Sequence, residues 1–237
     1  MVVVLVLGGY GGIGSAVSAA LEEKGLNVIR QTRSMSHSGE NGTIVGNPST
    51  SVFWQDLETF LSKYTLTHAL SQTPVTPKPQ LRDFSGLHAI ICAQGSLRYS
   101  PCSSTTPKAL HESMDAHVTP VLMAHQFLLA HAPASVLLAI GSDPYSEEGT
   151  IDLCEYVTCK HALLGMTRAM VEDLFGTHHR VVHEQLGNVA TPLWDQPGAE
   201  DSGPPDDAED ASVVGERLAV LVEAELEAVL GRYQEFQ

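Results

Sequence analysis

The chain has 237 residues, of which 43% are hydrophobic, and it carries a net charge of −15 at pH 7. This length is typical of one α/β domain with a full hydrophobic core, so we expect a single domain over residues 1–237. Nucleic acid phosphates would be repelled by the negative charge, so we expect no nucleic acid partner. No apolar run approaches the roughly 20 residues that a membrane-spanning helix needs, so we expect no membrane partner either.

The amino-terminal segment is short and apolar, and it runs directly into a cluster of glycines. MVVVLVLGG has no basic n-region, so a buried strand explains it better than a signal peptide does. We therefore expect a cytoplasmic protein. The cysteines Cys92, Cys102, Cys154 and Cys159 show no CxxC spacing, and we expect them to be free thiols rather than disulfide partners.

Short apolar or β-branched runs alternate along the chain with longer helical segments, a pattern that favours a parallel sheet covered by helices. The predicted strands lie near Val2 to Leu7, Leu26 to Thr32, Gly42 to Val45, Ala89 to Ala93, Val136 to Ile140 and Val181 to Gln185. The apolar periodicity predicts helices that begin near Ile13, Val52, Leu110, Leu153 and Ser212. Pro120 lies inside the third of these helices and predicts a kink or a break there.

Two segments interrupt this alternation. Lys63 to Leu87 is rich in Thr, Pro and Gln where a helix would ordinarily lead into the next strand, so we predict a loop insertion there. Residues 195–212 include the acidic stretch AEDSGPPDDAED, which predicts a mobile surface loop. Because this loop follows the carboxyl end of a strand, where open α/β sheets bind ligands, it is also a candidate substrate lid.

A cluster of glycines joins the first predicted strand to the first predicted helix. In this context glycines permit a tight turn and let backbone N–H groups approach a pyrophosphate at the positive end of the helix. The residues that would contact a dinucleotide here are Gly8, Tyr10, Gly11, Gly12, Ile13 and Gly14. The alternative is a glycine-rich turn in an α/β protein of another kind.

The end of the second strand usually distinguishes NAD from NADP. An acidic residue there hydrogen-bonds the ribose hydroxyls of NAD, whereas a basic residue accommodates the 2′-phosphate of NADP. Thr32 stands at the acidic position, and Arg33 and Ser34 follow it. NADP(H) is therefore favoured over NAD(H), unless Arg33 merely lies on a solvated loop.

Tyr156 and Lys160 are four residues apart in a predicted helix, a spacing that puts both side chains on one face. On its own, such a pair is more often an ordinary exposed helix pair than a site. Upstream, however, Ser142 follows an apolar strand, and downstream Thr191 precedes Pro192 after another strand. Together with the glycine turn, these motifs stand in the order typical of short-chain dehydrogenases, and residues 1–195 resemble that family.

The resemblance implies a Rossmann-type, doubly wound parallel sheet with strand order 3-2-1-4-5-6 and helices on both faces. It also implies an NAD(P)-dependent oxidoreductase that transfers hydride between nicotinamide and a small carbonyl or alcohol substrate. In the family pattern Tyr156 is the general acid or base, Lys160 lowers its pKa and holds the nicotinamide ribose, and Ser142 hydrogen-bonds the substrate oxygen. Since the chain stops at GRYQEFQ, we expect the family's last strand to be missing. The family's assemblies imply a homodimer or homotetramer.

The chain departs from the family pattern at several positions. Cys92-Ala93-Gln94-Gly95 stands where the family has NNAG, and Leu186-Gly187 stands where it has Pro-Gly. By position, the resemblance adds further expected cofactor contacts at Ala93, Gln94, Gly95, Gly187, Val189 and Thr191. His117 stands where the family has an Asn that positions a water for proton transfer, and His can also hold a water. The alternative is a His that packs against the helix kink.

Two further functions stay open at this point. A dihydropteridine-reductase-like enzyme is one, because such enzymes also have a GGxGxxG-like turn and lack the NNAG asparagines. A non-catalytic NADP-binding sensor or scaffold is the other, because the support motifs are altered. We expect the substrate pocket to be built from Gly95 to Pro107, Asp143 to Ile151 and the loop after Pro192. No metal site is expected, since no Cys or carboxylate set at ligand spacing joins His178, His179 and His183.

Overall fold

The computed structural model describes residues 2–71, 86–143, 152–195 and 203–235. Its centre is a parallel sheet of six strands in the order β3-β2-β1-β4-β5-β6. The strands are β1 (Val3–Leu7), β2 (Asn27–Thr32), β3 (Thr43–Val45), β4 (Leu87–Cys92), β5 (Ser135–Ile140) and β6 (His179–Glu184). The predicted strand order is thereby confirmed.

Helices cover both faces of this sheet, as predicted. They are α1 (Gly12–Glu23), α2 (Ser51–Ser71), α3 (Pro107–His117), α4 (Thr119–His131), α5 (Cys154–Asp173) and α6 (Ala211–Glu235). Leu5 and Ile90 share one apolar core with residues of α2, α4 and α5, whereas Val4 and Ile91 share the other with residues of α1 and α6. Because both faces are buried, the central strands are apolar at nearly every position. No helix among the described residues is long and apolar enough to cross a membrane.

The order of the strands reverses between β1 and β4, which lie side by side at the centre of the sheet. Their last residues, Leu7 and Cys92, pair in register. The chain leaves β1 for a helix on one face and leaves β4 for helices on the other. The crevice between the two departing segments is where open α/β sheets bind ligands.

Helices α1 and α6 approach each other closely because Gly215 has no side chain. A β-carbon at Gly215 would lie 2.6 Å from the backbone carbon of Ala16. An ion pair between Lys24 and Glu216, with 3.1 Å between Nζ and Oε1, joins the same two helices. This packing holds α1, whose first turn faces the crevice, firmly against the sheet.

The predicted break at Pro120 is confirmed as the boundary between α3 and α4. Pro120 lies in the first turn of α4. Proline fits there because the first N–H groups of a helix have no intrahelical acceptor to lose. The boundary leaves His117 as the last residue of α3, in contact with the loop that follows β4.

One predicted loop is partly wrong, and the other is described only in part. Between Lys63 and Leu87 the chain is helical as far as Ser71, since no proline interrupts α2 before that point, and residues 72–85 lie outside the described residues. The acidic segment 195–212 contains a short strand, β8 (Glu209–Asp210), which pairs with β7 (Val189–Ala190). Backbone pairing therefore orders the end of this segment despite its polar composition, and residues 196–202 lie outside the described residues.

The prediction of four free cysteines is wrong for two of them. Cys102 and Cys154 form a disulfide, whereas the other two are free and buried. The paired cysteines are 52 residues apart in sequence. They meet because the loop after β4 runs beside the segment before α5, where Ser100 and Leu153 form a β-bridge.

Candidate active site

The turn between β1 and α1 exposes its backbone to the crevice, because most of its residues are glycines. Gly8 has a φ of +71°, which favours glycine, and a β-carbon there would lie 2.9 Å from the Cα of Gln94. The N–H of Gly11 donates to the carbonyl of Gly8 at 2.8 Å and closes the turn. Gly11 is also the N-cap of α1 and offers no side-chain cap. The first turn of α1 therefore presents N–H groups to the crevice in the manner that suits a pyrophosphate.

Gln31, a buried residue of β2, holds this turn in place. Its Oε1 accepts a hydrogen bond from the N–H of Gly8 at 2.8 Å, and its Nε2 donates to the carbonyl of Gly46 at 2.7 Å. One side chain thus ties the glycine turn to the loop after β3. The sequence analysis missed Gln31, because a glutamine inside an apolar strand gives no sign of which loops it will join.

Two adjacent cavities lie along the crevice, with volumes of about 320 Å³ and about 840 Å³. The predicted site residues that line the first cavity are Tyr10, Gly11, Gly12, Ile13, Ala93, Gln94, Gly95, His117, Ser142, Tyr156, Lys160, Gly187, Val189 and Thr191. Those that line the second are Gly8, Tyr10, Gly11, Arg33, Ser34, Ala93, Gln94 and Gly95. Gly14 lines neither cavity, because its α-carbon packs against the carbonyl of Gly8.

Gln94 lies where the two cavities meet. Both atoms of its side-chain amide are buried and have no hydrogen-bond partner within the described part of the chain. Buried amides are normally paired, so an unpaired one beside a cavity is suited to a polar ligand. An elongated ligand with polar groups along its length, such as a nicotinamide dinucleotide, fits this donor and acceptor pair and the glycine turn beside it.

Three side chains from two separate segments converge at the first cavity. The side chain of Ser142, which follows β5, is hydrogen-bonded to the phenol of Tyr156 in α5. The Nζ of Lys160, one turn further along α5, lies 5.4 Å from the centroid of the Tyr156 ring. Lys160 also donates a hydrogen bond to the carbonyl of Ile140, with 2.9 Å between Nζ and O. The phenol, the hydroxyl and the ammonium are thus held together at the carboxyl end of β5.

Burial governs the ionisation of these groups. It raises the pKa of Tyr156 above its usual range, and the hydrogen bond from Ser142 opposes this rise. The expected lowering of this pKa by Lys160 is therefore not found. Burial also lowers the pKa of Lys160 to about 8. At neutral pH the phenol is protonated and most of the ammonium is charged, a combination that suits the donation of a proton.

His117 is buried beside these residues, with its ring edge-on to that of Tyr156 and 5.6 Å between the ring centroids. Its Nε2 lies 2.8 Å from the carbonyl oxygen of Ser96, and its Nδ1 has no partner among the described residues. Burial, and to a lesser degree the charge of Lys160, lowers the pKa of His117 to about 3. The imidazole is thus neutral at physiological pH, and its Nδ1 is a buried polar atom at the wall of the site.

The buried carboxylate of Glu155 holds the start of α5 in place through contacts with Ser113 and Arg98. Glu155, which precedes Tyr156, is 1% exposed. Its Oε2 accepts a hydrogen bond from the hydroxyl of Ser113 in α3 at 2.8 Å and lies 3.6 Å from Nη1 of Arg98. Arg98 also lies 3.5 Å from Glu112. These contacts were not predicted, because the residues lie on three segments that only the tertiary fold brings together.

The second cavity extends past the end of β2. Arg33 is exposed at its wall, and the N–H of Ser34 donates to Oγ1 of Thr32 at 3.0 Å as the chain turns. Positions 32 to 34 carry no carboxylate. The ring of Tyr10 stacks on that of His37, with 3.8 Å between centroids, and both line the same cavity. The sequence analysis did not single out His37.

The wall of the first cavity beyond Tyr156 is apolar. It includes Leu97, Leu193 and Trp194, which belong to a small apolar cluster separate from the two cores of the sheet. These residues come from the loop after β4 and the segment after Pro192, both of which the sequence predicts to form the substrate pocket. Single apolar side chains in loops have no periodic pattern, so the sequence did not identify them individually.

The histidines near β6 take part in hydrogen bonds with hydroxyl groups. Nδ1 of His179 lies 2.8 Å from the hydroxyl of Ser135, and Nδ1 of His183 lies 2.9 Å from that of Thr167. Within the described ranges, no group of three or more His, Cys, Asp or Glu side chains is placed to hold a metal ion.

Comparison with known proteins agrees with this geometry. The family model described as short chain dehydrogenase matches residues 2–201. No curated protein sequence matches the chain at a significant level.

Solved structures share the fold at low sequence identity. A 3-ketoacyl-(acyl-carrier-protein) reductase from Brucella melitensis, complexed with NADH, is 18% identical with a TM-score of 0.74, over 94% of this chain and 92% of that one. An aldohexose dehydrogenase from Thermoplasma acidophilum is 16% identical with a TM-score of 0.73, over 94% and 88%. A dehydrogenase/reductase from Sinorhizobium meliloti is 18% identical with a TM-score of 0.71, over 93% and 87%.

The family match covers most of the chain, and the matched residues include the glycine turn, Ser142, Tyr156 and Lys160. The chain therefore belongs to the short-chain dehydrogenase family of NAD(P)-dependent oxidoreductases.

Proposed function

We propose that the chain catalyses reversible NADP(H)-dependent reduction of a small carbonyl compound to an alcohol, with Tyr156 as the general acid and base. The observation that carries this proposal is the hydrogen bond between Ser142 and Tyr156 beside the buried ammonium of Lys160. When bound, the nicotinamide supplies or accepts the hydride. The residues of this chain would then bind the two reactants, exclude water and move the proton.

Each catalytic side chain has a role that follows from its position. Tyr156 would donate its proton to the substrate oxygen during reduction. Its raised pKa keeps the phenol protonated but makes it a weaker acid, and the hydrogen bond with Ser142 opposes this rise. Ser142 would donate a hydrogen bond to the same oxygen as negative charge develops there. Lys160 would support the phenol electrostatically and bind the nicotinamide ribose. His117, with its unpaired Nδ1, would hold a water that returns a proton to the site.

The cofactor would lie along both cavities. The first turn of α1 would bind the pyrophosphate through its N–H groups, and the unpaired amide of Gln94, beside the glycine turn, would hydrogen-bond the cofactor. Arg33 and Ser34 would bind the 2′-phosphate of NADP at the end of β2, where positions 32 to 34 carry no carboxylate. Gly187, Val189 and Thr191 would close over the nicotinamide end.

We also propose that the chain forms a homodimer or homotetramer through α4 and α5, which cover the same face of the sheet. Leu122 and Leu129 of α4 are 40% and 43% exposed, and Val171 of α5 is 49% exposed. Light scattering coupled to size-exclusion chromatography would test this proposal. A monomer at micromolar concentration would refute it.

The experiment that tests the activity has two parts. NADPH and NADH are first titrated against the protein by fluorescence, and carbonyl compounds of several classes are then offered with the cofactor that binds. Replacement of Tyr156 by Phe removes the proton donor and leaves the ring, so we expect kcat to fall by about a hundredfold to ten-thousandfold. Cofactor affinity should change little.

Tyr233→Phe is the matched control, because Tyr233 lies in α6, where its ring contacts His178. This variant should retain the activity of the wild type. Cofactor binding without turnover of any carbonyl, and with no difference between the two Phe variants, would favour a non-catalytic sensor instead.

A further inference from the structure

The apolar side of the first cavity consists of side chains that pack against one another. Leu97 is 6% exposed, and with Leu153 and Tyr156 it forms the buried part of a cluster against which Leu193 and Trp194 pack. The cluster therefore includes the phenol ring that would donate the proton. A substrate whose carbonyl oxygen reaches Tyr156 must place its neighbouring group against these side chains.

The position of Trp194 is fixed by a hydrogen bond. Its indole Nε1 donates to the carbonyl of Val189 at 2.8 Å. The polar edge of the indole is thereby used within the protein, and its remaining surface is apolar. Leu97 is held from the other side, because Ser96 contacts His117 and Arg98 contacts Glu155. Two anchored segments thus carry the opposing apolar side chains.

Among the described residues, Lys160 is the only Lys or Arg that lines this cavity. The described residues that line it include no Arg, Asp or Glu, and its ammonium, Lys160, already donates to the carbonyl of Ile140. His117 is neutral at physiological pH. Arg98 lies at the neighbouring cavity, where two carboxylates, those of Glu112 and Glu155, surround it.

The segments 144–151 and 196–202, which lie outside the described residues, read PYSEEGTI and QPGAEDS and contain no Lys or Arg. A carboxylate or phosphate buried beside Tyr156 would lose its hydration, and the described lining offers it no cation other than Lys160, whose Nζ already donates to the carbonyl of Ile140. Such burial is unfavourable.

From these observations we propose that the substrate is an uncharged carbonyl compound whose apolar aryl or alkyl substituent binds between Leu97, Leu193 and Trp194. This inference rests on the proposed function, since it assumes that the carbonyl oxygen lies at Tyr156. It excludes oxo acids and phosphorylated carbonyl compounds as preferred substrates. It also disfavours sugars, whose hydroxyl groups would meet apolar side chains.

The test compares matched carbonyl compounds that differ only in charge. Acetophenone is compared with its para-carboxylate and its para-trimethylammonium analogue, and 2-octanone with 7-oxooctanoate, each at saturating NADPH. We expect kcat/KM to be at least about a hundredfold higher for the uncharged member of each set than for the carboxylate. Equal or higher kcat/KM for the carboxylates, the ammonium compound or an aldohexose would overturn the inference.

A binding measurement separates failure of this inference from failure of the proposed function. In a Trp54→Phe background, Trp194 is the remaining tryptophan. Trp54 belongs to α2 and packs in the core of the sheet, and it does not line the first cavity. We expect acetophenone to quench the Trp194 fluorescence and its para-carboxylate to leave it unchanged at the same concentration. Quenching without turnover would reject the activity and keep the apolar site. Turnover or binding that favours the carboxylate would reject the apolar site alone.

Leu193→Arg tests whether an added positive charge shifts the substrate preference toward the carboxylate. Leu193→Gln is the uncharged polar control. Leu193 is half-buried and lies in a short helical turn after β7, so a longer side chain can be accommodated at the cavity edge. The ratio of kcat/KM for acetophenone to that for its carboxylate should fall about twofold to fivefold in the Arg variant but not in the Gln variant. An unchanged ratio in both variants would show that Leu193 does not face the substrate.

Discussion

The α-carbon of Gly12 lies so close to Thr191 that a β-carbon on Gly12 would stand 2.5 Å from both Cβ and Cγ2 of Thr191. This contact joins the first turn of α1 to the segment after β7, on opposite sides of the cofactor crevice. Replacement of Gly12 by Ala must therefore push these two segments apart. We expect Gly12→Ala to weaken NADPH binding at least about tenfold, because the N–H groups of α1 would no longer be correctly placed.

The double variant Gly12→Ala, Thr191→Gly removes the obstructing carbons and should recover part of this affinity, measured by fluorescence titration as a double-mutant cycle. Gly165→Ala is the control, because a β-carbon at Gly165 in α5 meets no atom within 4 Å. That variant should bind NADPH normally and gain about 0.5–1 kcal/mol of stability. Equal affinity of Gly12→Ala and the wild type would show that the contact gives way without cost.

The pKa of Lys160 predicts the alkaline limit of the reductase reaction. Burial lowers this pKa to about 8, so the side chain is charged below that pH and loses its proton above it. The pKa of Tyr156 is raised, so the phenol remains protonated over the same range. Carbonyl reduction should accordingly decline above about pH 8, with the loss of one proton in the profile of kcat/KM.

Lys160→Arg keeps a positive charge at every pH and should abolish this decline, although at lower overall activity. The measurement is the pH profile of carbonyl reduction by both proteins. If the decline near pH 8 persists unchanged in Lys160→Arg, it belongs to another group.

Protonation of His117 should not contribute to the acidic part of the pH profile of kcat/KM. Its pKa is lowered to about 3, mainly by burial, so the imidazole stays neutral between about pH 5 and 7, where an exposed His would titrate. His117→Leu leaves the polar groups of Ser96 without their partner and should reduce stability by about 1–3 kcal/mol. It should also slow turnover, since the unpaired Nδ1 is lost.

His117→Asn restores a polar side chain at the position where the family has Asn, and it should retain more of kcat than His117→Leu does. The two variants should be compared in both kcat and KM. A titration near pH 6.5 in the wild type that vanishes in His117→Asn would contradict the neutral, buried imidazole.

The disulfide between Cys102 and Cys154 should stabilise the wall of the substrate pocket. It joins the loop after β4 to the residue that begins α5, close to Tyr156. Replacement of both cysteines by Ser should lower the free energy of unfolding by about 2–4 kcal/mol. We expect KM for the carbonyl substrate to rise as well, because Leu97 lies on the released loop.

Chemical denaturation with and without a phosphine reductant provides the measurement. Reduction should destabilise the wild type and leave the double Ser variant unaffected. Identical denaturation midpoints for the oxidised and reduced wild type would show that the bond contributes nothing.

Arg33 should determine the preference between the two nicotinamide cofactors. It is exposed at the second cavity, where no carboxylate at positions 32 to 34 would repel a phosphate. Arg33→Ala should weaken NADPH binding about tenfold to a hundredfold, the range of a charge-assisted hydrogen bond, and leave NADH binding nearly unchanged. Arg33→Lys should keep most of the NADPH affinity. A parallel loss for both cofactors in Arg33→Ala would mean that Arg33 does not contact the 2′-phosphate.

Local spacing made several features predictable from the amino-acid sequence. The glycines after β1 had to form a tight turn before a helix, Tyr156 and Lys160 had to share a helical face, and Pro120 had to end or begin a helix. The order of these motifs along the chain indicated the family and, through it, the order of the strands. In each case the physical cause acts over a few residues, so that it can be read without coordinates.

Three features became visible only in the tertiary structure. They are the disulfide between Cys102 and Cys154, the hydrogen bond that joins Glu155 to another helix, and the apolar wall that includes Trp194. The tertiary structure also showed that burial raises the pKa of Tyr156, against the lowering expected from Lys160 and the oxidised nicotinamide. Burial and long-range partners set these properties, and both depend on which loops the crossing helices bring together at the end of the sheet. Residues distant in sequence carry no mark of the neighbours they will meet, so only the folded chain shows them.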